Sequence, residues 1–420
     1  MPDGRKTVCV IGAGIVGVVA AALLQREGHD IVVVEPGGPG EGASFGNAGC
    51  LSASSVVPLS MPGTARGIAR SIRDPMGPLA IRWRHLPSVA PWLVRFVRSG
   101  THAKVRAQAR ALRPLLAPSV VLYASLLEEM GARDLLRSVG HLYVYRSEAS
   151  WLKERLHWQL RRENGIDWDE LDAHALREFD PSLSTEYVRG ALLAANGHVT
   201  NPHRVVTAIL AGILARGGRL VRGRAVGFDL DGTRLEAVRM EHGVLSADAA
   251  VVTAGAWSKP LAAALGDPVP LESQRGYHLM LSDPEVSPRV PTNDADGKFM
   301  VTPMELGLRA AGTVEFAGLR APPNWERAHI LMRHARRMLP GLRASYEAER
   351  LTKWMGHRPS LPDSLPVIGR SRRTPDVVYA FGHGHVGLAA APMTGGIVTD
   401  LVGGKQPRVD IEPFSASRFG

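Results

Sequence analysis

Residues 8–17 read Val8-Cys9-Val10-Ile11-Gly12-Ala13-Gly14-Ile15-Val16-Gly17. Four apolar residues followed at once by Gly-x-Gly-x-x-Gly predict a buried strand that turns directly into a helix. The helical pattern runs to Glu27 and stops at Gly28, and Ile31-Val32-Val33-Val34-Glu35 predicts a second buried strand, with its acid twenty-three residues after Gly12. Each residue type answers a physical need. Gly12 makes the tight turn, Gly14 lets the backbone approach a pyrophosphate, and Gly17 lets the helix pack closely on the strand. The helix N-terminus, with Ile15 and Val16 in its first turn, offers amide donors to a diphosphate. Glu35, followed by Pro36, is placed to accept from ribose hydroxyls and to repel a 2′-phosphate. Strand, glycines, helix, strand and acid in register predict a dinucleotide site. Arg5-Lys6 before the uncharged run Val8 to Leu24 imitates a secretory signal, but the glycines mark a βαβ unit instead.

A second match, Gly382-x-Gly384-x-x-Gly387, follows the strand-like Val377-Val378-Tyr379-Ala380-Phe381. Only one helical stretch, about Ala389 to Val402, remains after it, and Asp400 falls inside that stretch. No second strand ending in an acid can follow, so this segment closes an existing sheet and leads into a helix. One nucleotide site plus a helix N-terminus able to stabilise negative charge on a reduced ring suits FAD. Mid-chain, Asp248 to Ala254 predicts another buried strand, which ends in Gly255-Ala256-Trp257-Ser258. Ala225 to Leu230 and Ala237 to Met240 predict a hairpin around Asp231-Gly232, with a helix from Pro202 to Arg216 leading into it.

The chain has 420 residues, 45% apolar and 21% charged, which excludes wholesale disorder or a fibrous repeat and predicts two to three units. With only Cys9 and Cys50, a thiolate zinc site is excluded, one disulfide is allowed on paper, and a reduced cytoplasmic protein is the simplest expectation. The net charge of +10 is local: residues 61–120 hold eleven basic side chains against Asp74 alone, so the remaining chain sums to zero. That localisation argues against a general nucleic-acid binder. Within 66–113 the arginines interleave with apolar groups, and Val89, Trp92 and Phe96 share a helical face, with Arg95 and Arg98 displaced from it. Two readings follow: an interfacial helix touching anionic lipid, or a helical cap whose apolar face packs on the core. No uninterrupted apolar run approaches the ~20 residues a bilayer span needs.

The chain resembles the FAD-dependent D-amino-acid dehydrogenases of the glycine oxidase, sarcosine oxidase and D-amino-acid oxidase superfamily. The residues carrying the resemblance are Val8 to Gly17, Ala43-Ser44-Phe45-Gly46-Asn47-Ala48-Gly49, Val251 to Ser258, Gly356-His357-Arg358-Pro359 with Pro362-Asp363 and Pro366-Val367-Ile368-Gly369, and Gly382 to Gly387. The resemblance implies an α/β chain, α+β overall. A discontinuous Rossmann-like FAD-binding domain (1–60, 197–260 and 351–420) would carry an inserted substrate domain (61–196 and 261–350). In that inserted domain an antiparallel sheet roofs the flavin, and about 61–140 form a helical basic insertion. It implies non-covalent FAD, with Ser44, Asn47 and Ala48 running along the flavin and Val226, Ala254, Gly255, Trp257, Gly356, Gly384, His385, Gly387 and Leu388 beside it. Cys50 departs from the expected residue and is given no bond to flavin.

Arg358 sits between Gly356 and Pro359, a stiff setting for a bidentate donor fork that suits a carboxylate. The matching arginine of the family binds the α-carboxylate of an amino acid. Tyr277 and His278, after Arg275-Gly276, are expected on a roof strand and are candidates for the substrate site. His383 and His385 lack nearby carboxylates, and no metal is expected. The implied reaction is oxidative deamination of a D-amino acid by hydride transfer to flavin N5, with D-proline or cis-4-hydroxy-D-proline favoured by the Trp354 to Gly369 segment. The substrate is thus a small amino or imino acid. Electrons would pass to a quinone or respiratory chain, with peripheral contact at the inner face of the cell membrane. The alternatives are a glycine- or sarcosine-type oxidase making hydrogen peroxide, a nicotinamide-dependent dehydrogenase, and a non-catalytic basic binding module.

Overall fold

In the computed structural model, which describes residues 4–65, 68, 77 and 79–420, the strand Thr7–Ile11 lies inside a six-stranded sheet. The order is Arg219–Arg222, Asp30–Glu35, Thr7–Ile11, Ala249–Val252, Val377–Phe381, Val367–Arg370. All neighbours are parallel except the last pair. Alternation explains the continuous apolar run of the first strand. Val8 and Val10 face a core shared with the helices Ile15–Arg26, Pro202–Ala215 and Gly387–Val402. Cys9 and Ile11 face the opposite core, under a three-stranded antiparallel sheet, Ala225–Asp231, Arg234–Met240 and Val244–Ser246. A parallel sheet covered on both faces leaves no polar side. Gly12, at φ +111°, could carry no side chain: a Cβ there would lie 2.6 Å from the Thr253 carbonyl oxygen. At Gly17 the clash is worse, 1.9 Å from the Gly12 carbonyl oxygen, which is the close helix–strand approach that the spacing predicts.

A second sheet roofs the first. Its order is Leu351–Ser360, Glu272–Leu281, Gly307–Phe316, Phe299–Met304, Thr292–Asp294, His141–Tyr145, Arg189–Leu193, Asp169–Asp172, with Leu79–Ile81 added beside Gly307–Phe316. The helix Glu326–Met338 covers its outer face through Leu331, Ala335 and Met338, packed in one cluster with Leu279, Val301 and Leu308. Sequence reading gives everything from 351 onward to the dinucleotide part. The strand Leu351–Ser360 pairs instead with Glu272–Leu281 along ten positions, so the chain enters the roof before it returns to the parallel sheet at Val367. Two short helices, Glu148–Lys153 and Arg155–Glu163, follow the strand His141–Tyr145. Tyr277 and His278 lie on an interior strand of the roof.

Of the basic segment, Arg66, Arg70, Arg73 and Asp74 lie outside the described residues. The helix Leu86–Ser99 buries Val89, Trp92, Leu93 and Phe96 against Phe316 of the roof, so its apolar face is core packing, and Arg95 and Arg98 are solvated. One stretch among the described residues, His102–Glu129, is long and apolar enough by length and composition to cross a membrane. It is two helices, His102–Leu116 and Ser119–Glu129, and Leu112, Leu115, Leu116, Tyr123, Leu126 and Leu127 are buried in the main core. Both cysteines are free, Cys9 in the sheet interior and Cys50 beside the main cavity, and burial pushes both thiols up to about 12.

Candidate active site

A cavity of about 1560 Å³ lies between the C-terminal ends of the parallel strands and the roof sheet. Ligands of open α/β sheets bind at this end of the strands. Gly12, Gly14, Ile15 and Val16 form one wall, with Glu35 and Pro36 beside them. Ser44, Asn47 and Ala48, then Val226, Ala254, Gly255 and Trp257, continue it, and Gly384, His385, Gly387 and Leu388 stand opposite with Arg358. Gly17 and Gly356 pack behind the surface. Neither Tyr277 nor His278 lines the cavity.

The two misplaced residues have other work. The Tyr277 hydroxyl donates to the buried Glu315 carboxylate at 2.6 Å and accepts from the Asn324 amide at 3.0 Å. His278, next along the strand, points to the opposite face, where Nδ1 lies 3.0 Å from the Gly46 carbonyl and the ring stacks on Trp354 at 5.2 Å between centroids. Burial holds His278 down to about 3, so it is neutral and its Nδ1–H donates to that carbonyl. Arg309, from the neighbouring strand, donates through Nη1 to the carbonyls of Asn47 at 2.6 Å and Phe45 at 3.3 Å. Three successive carbonyls of the 44–48 loop are thus turned toward the roof. The loop is tied internally as well: Ser44 Oγ accepts from the Ile15 amide at 2.9 Å, and the Asn47 side chain bridges the Ser44 carbonyl and the Gly49 amide. Trp354 fills the room left by two glycines, since a Cβ at Gly46 or at Gly356 would each lie 2.0 Å from its ring. Sequence reading missed Arg309; it sits on an ordinary alternating strand with no local signature.

The glycine turn is held by Glu35, whose carboxylate accepts from the Ala13 amide at 2.8 Å and the Gly37 amide at 3.1 Å. Each oxygen keeps a further lone pair for a hydroxyl. The first-turn amides of Ile15–Arg26 and of Gly387–Val402 have no intrahelical acceptors, and both helices begin at the cavity wall. At Gly14 a Cβ would meet nothing closer than Ser44 Oγ at 3.4 Å, so the fold tolerates a methyl there. What demands glycine at that position is a ligand. Glycine cradle, acid and two helix N-termini in one elongated cavity fit FAD.

Arg358 extends over Gly276, where a Cβ would sit 2.3 Å from its Cζ, and Nη1 reaches the Thr313 carbonyl at 3.4 Å. Burial lowers its guanidinium to about 10, which leaves it charged at neutral pH, and it has no carboxylate partner among the described residues. His385 faces it across the cavity wall; burial first, and then Arg358, lower that imidazole to about 4. His383 also lines the cavity and is tied to the last helix, its Nε2 3.0 Å from Thr394 Oγ1.

A glycine-turn nucleotide sheet under a mainly antiparallel roof with two parallel pairings, and Arg358 buried between them, defines a two-part dinucleotide oxidoreductase. Comparison with known proteins gives the family: residues 7–401 match the family described as FAD dependent oxidoreductase (DAO), and the chain belongs to it. It is an FAD-dependent flavoprotein, which sets aside the nicotinamide and non-catalytic readings. It is 46% identical over the full length of both chains to a protein of Bradyrhizobium diazoefficiens named D-amino-acid oxidase. It is 27% identical, over 98% of each chain, to one named D-amino acid dehydrogenase from the same species. Among solved structures, glycine oxidase from Geobacillus kaustophilus superposes with a TM-score of 0.74 over 99% of both chains at 21% identity, which shows the shared fold.

Proposed function

We propose that this flavoenzyme oxidises D-amino acids, with Arg358 binding the substrate's α-carboxylate. The observation that carries this reading is a charged guanidinium on the cavity wall with no acidic partner among the described residues. A buried cation without a counter-ion is costly, and a substrate carboxylate offsets that cost. Bound FAD supplies a two-electron acceptor for the hydride leaving Cα. The chain's own residues do the positioning. The Arg358 fork holds two carboxylate oxygens and thereby orients Cα. Neutral His385 adds no second cation, and the amine enters unprotonated so that its lone pair assists hydride departure. No side-chain base is required.

Two finer points extend the proposal. The relative named D-amino-acid oxidase favours dioxygen as electron acceptor, whereas the dehydrogenase relatives favour a quinone or respiratory carrier. In the second case the exposed Arg84, Arg95 and Arg98 support reversible contact with anionic lipid, through charge alone, because the apolar face of their helix is buried. The Trp354 to Gly369 segment supports a proline-type substrate.

Anaerobic bleaching of the flavin by a panel of D-amino acids, D-proline, cis-4-hydroxy-D-proline, sarcosine and the L-enantiomers tests the reading. Rapid bleaching by D-enantiomers is expected. Bleaching by L-enantiomers alone, or by none, overturns it. Oxygen uptake and hydrogen peroxide release by the same preparation separate oxidase from dehydrogenase.

A further inference from the structure

The cavity has a second cationic end that the reaction described above leaves unused. Arg161, on the helix Arg155–Glu163, is 5% exposed and lies on the cavity wall. Its guanidinium stacks over Tyr143 and Trp158, with Cζ 5.0 Å and 4.5 Å from the ring centroids. Nη2 donates to the Tyr143 hydroxyl at 3.4 Å, while Nε and Nη1 are buried without a hydrogen-bond partner among the described residues. No carboxylate pairs with Arg161 among the described residues. The other basic groups of this lobe are already committed. Lys298 is neutralised by Glu154 at 2.5 Å, and both ring nitrogens of His141 are engaged, by Ser52 Oγ and the Gly197 carbonyl. The lobe therefore keeps one net positive charge.

Tyr143 turns that charge toward the cavity. Its oxygen accepts from Arg161, and its own proton meets no acceptor among the described residues. A phenol that accepts from a cation is a strengthened donor. Tyr143 shares a row of the roof with Asn293, Met300 and Ala311, each directly paired with the next, and all four line the cavity. The row leads to the strand whose Thr313 carbonyl touches Arg358. Three strand spacings, about 14 Å of sheet width, separate that strand from Tyr143.

We propose that Tyr143 and Arg161 form a second anion-accepting subsite, which takes the terminal carboxylate of an extended side chain while Arg358 holds the α-carboxylate. This inference rests on the Arg358 reading. It adds long acidic side chains to those the enzyme accepts.

The test uses unreactive ligands and the FAD-loaded enzyme. Straight-chain dicarboxylates from glutarate to sebacate are titrated against monocarboxylates of equal chain length, with the flavin absorbance spectrum as readout. At least one dicarboxylate is expected to bind tenfold or more tighter than its monocarboxylate. In Tyr143→Phe and Arg161→Met that advantage should fall below threefold, with monocarboxylate binding unchanged. Parity in the unmodified enzyme overturns the inference, as does an advantage that survives in Tyr143→Phe, which decides the matter if Arg161→Met does not fold. Arg358→Ala separates the two readings: loss of monocarboxylate binding is expected there, and its retention sinks the Arg358 reading itself.

Discussion

The Asn47 carbonyl accepts a 2.6 Å hydrogen bond from Arg309, a buried guanidinium of the roof, although 262 residues separate them in sequence. The loop that lines the cofactor cavity is therefore fixed from above by the same sheet that carries Arg358. A charged hydrogen bond of this kind contributes about 1.5–3 kcal/mol. Arg309→Met keeps the apolar stem but strands two carbonyls, and FAD should bind roughly ten- to a hundredfold more weakly. Fluorimetric titration of the apoprotein reads this directly; a change under twofold would show that loop order and cofactor affinity are uncoupled.

The glycines of the turn separate by mechanism. Gly17→Ala places a methyl 1.9 Å from a backbone oxygen and should abolish the folded protein. Gly14→Ala meets only Ser44 Oγ at 3.4 Å, so it should fold and melt within a few degrees of the parent yet lose FAD affinity at least tenfold. Circular dichroism together with flavin content distinguishes the two; equal loss of secondary structure in both variants would contradict the cradle.

Arg358→Lys retains the charge but not the planar fork. With a D-amino acid substrate KM should rise and kcat should also fall, because the orientation of Cα is lost along with affinity. Arg358→Ala should be worse on both counts. Steady-state kinetics in which only KM moves would reduce Arg358 to a simple anchor.

Six buried histidines make the fold acid-sensitive. Burial lowers His141, His278 and His383 to about 3 and His198, His357 and His385 to about 4. Above the unfolded value of about 6.5 both states are neutral, and nothing is lost. Below it the unfolded chain takes protons that the folded chain refuses, so stability falls as pH drops from about 6.5 toward 4. Calorimetric unfolding at pH 5.5 in buffers of different ionisation enthalpy should register an uptake of about five protons or more, since carboxylates are little involved at that pH. Uptake below one proton would mean that these rings are charged in the native state.

How much of this was legible depends on how local each cause is. The glycine turn is written in sequence because its constraint is local: a methyl at Gly17 collides with an atom five residues away. The motif around Arg358 singles it out in sequence, and the residue does line the cavity. The sequence places Tyr277 and His278 on a roof strand near the substrate, but strand periodicity does not say which face meets the cavity. That choice was made by Glu315 on one side and the Gly46 carbonyl on the other. The apolar stripe of Leu86–Ser99 was equally visible, yet whether lipid or protein covers it was decided by Phe316, more than two hundred residues later.

The parallel sheet draws its strands from residues 7–35, 219–252 and 367–381, and its interior strand Thr7–Ile11 pairs with Ala249–Val252. Synthesis at ~5–20 residues per second brings Val377–Phe381 into being about 20–75 s after Thr7–Ile11. Throughout that interval Val8, Val10, Ile31 and Val33 have their edges and faces unprotected, the condition under which nascent chains associate wrongly. Production of the flavoprotein should accordingly respond to whatever shields a nascent chain, such as cooler growth, slower initiation or added holdase chaperone, more than to added cofactor, which finds no complete cradle until the final strand is in place.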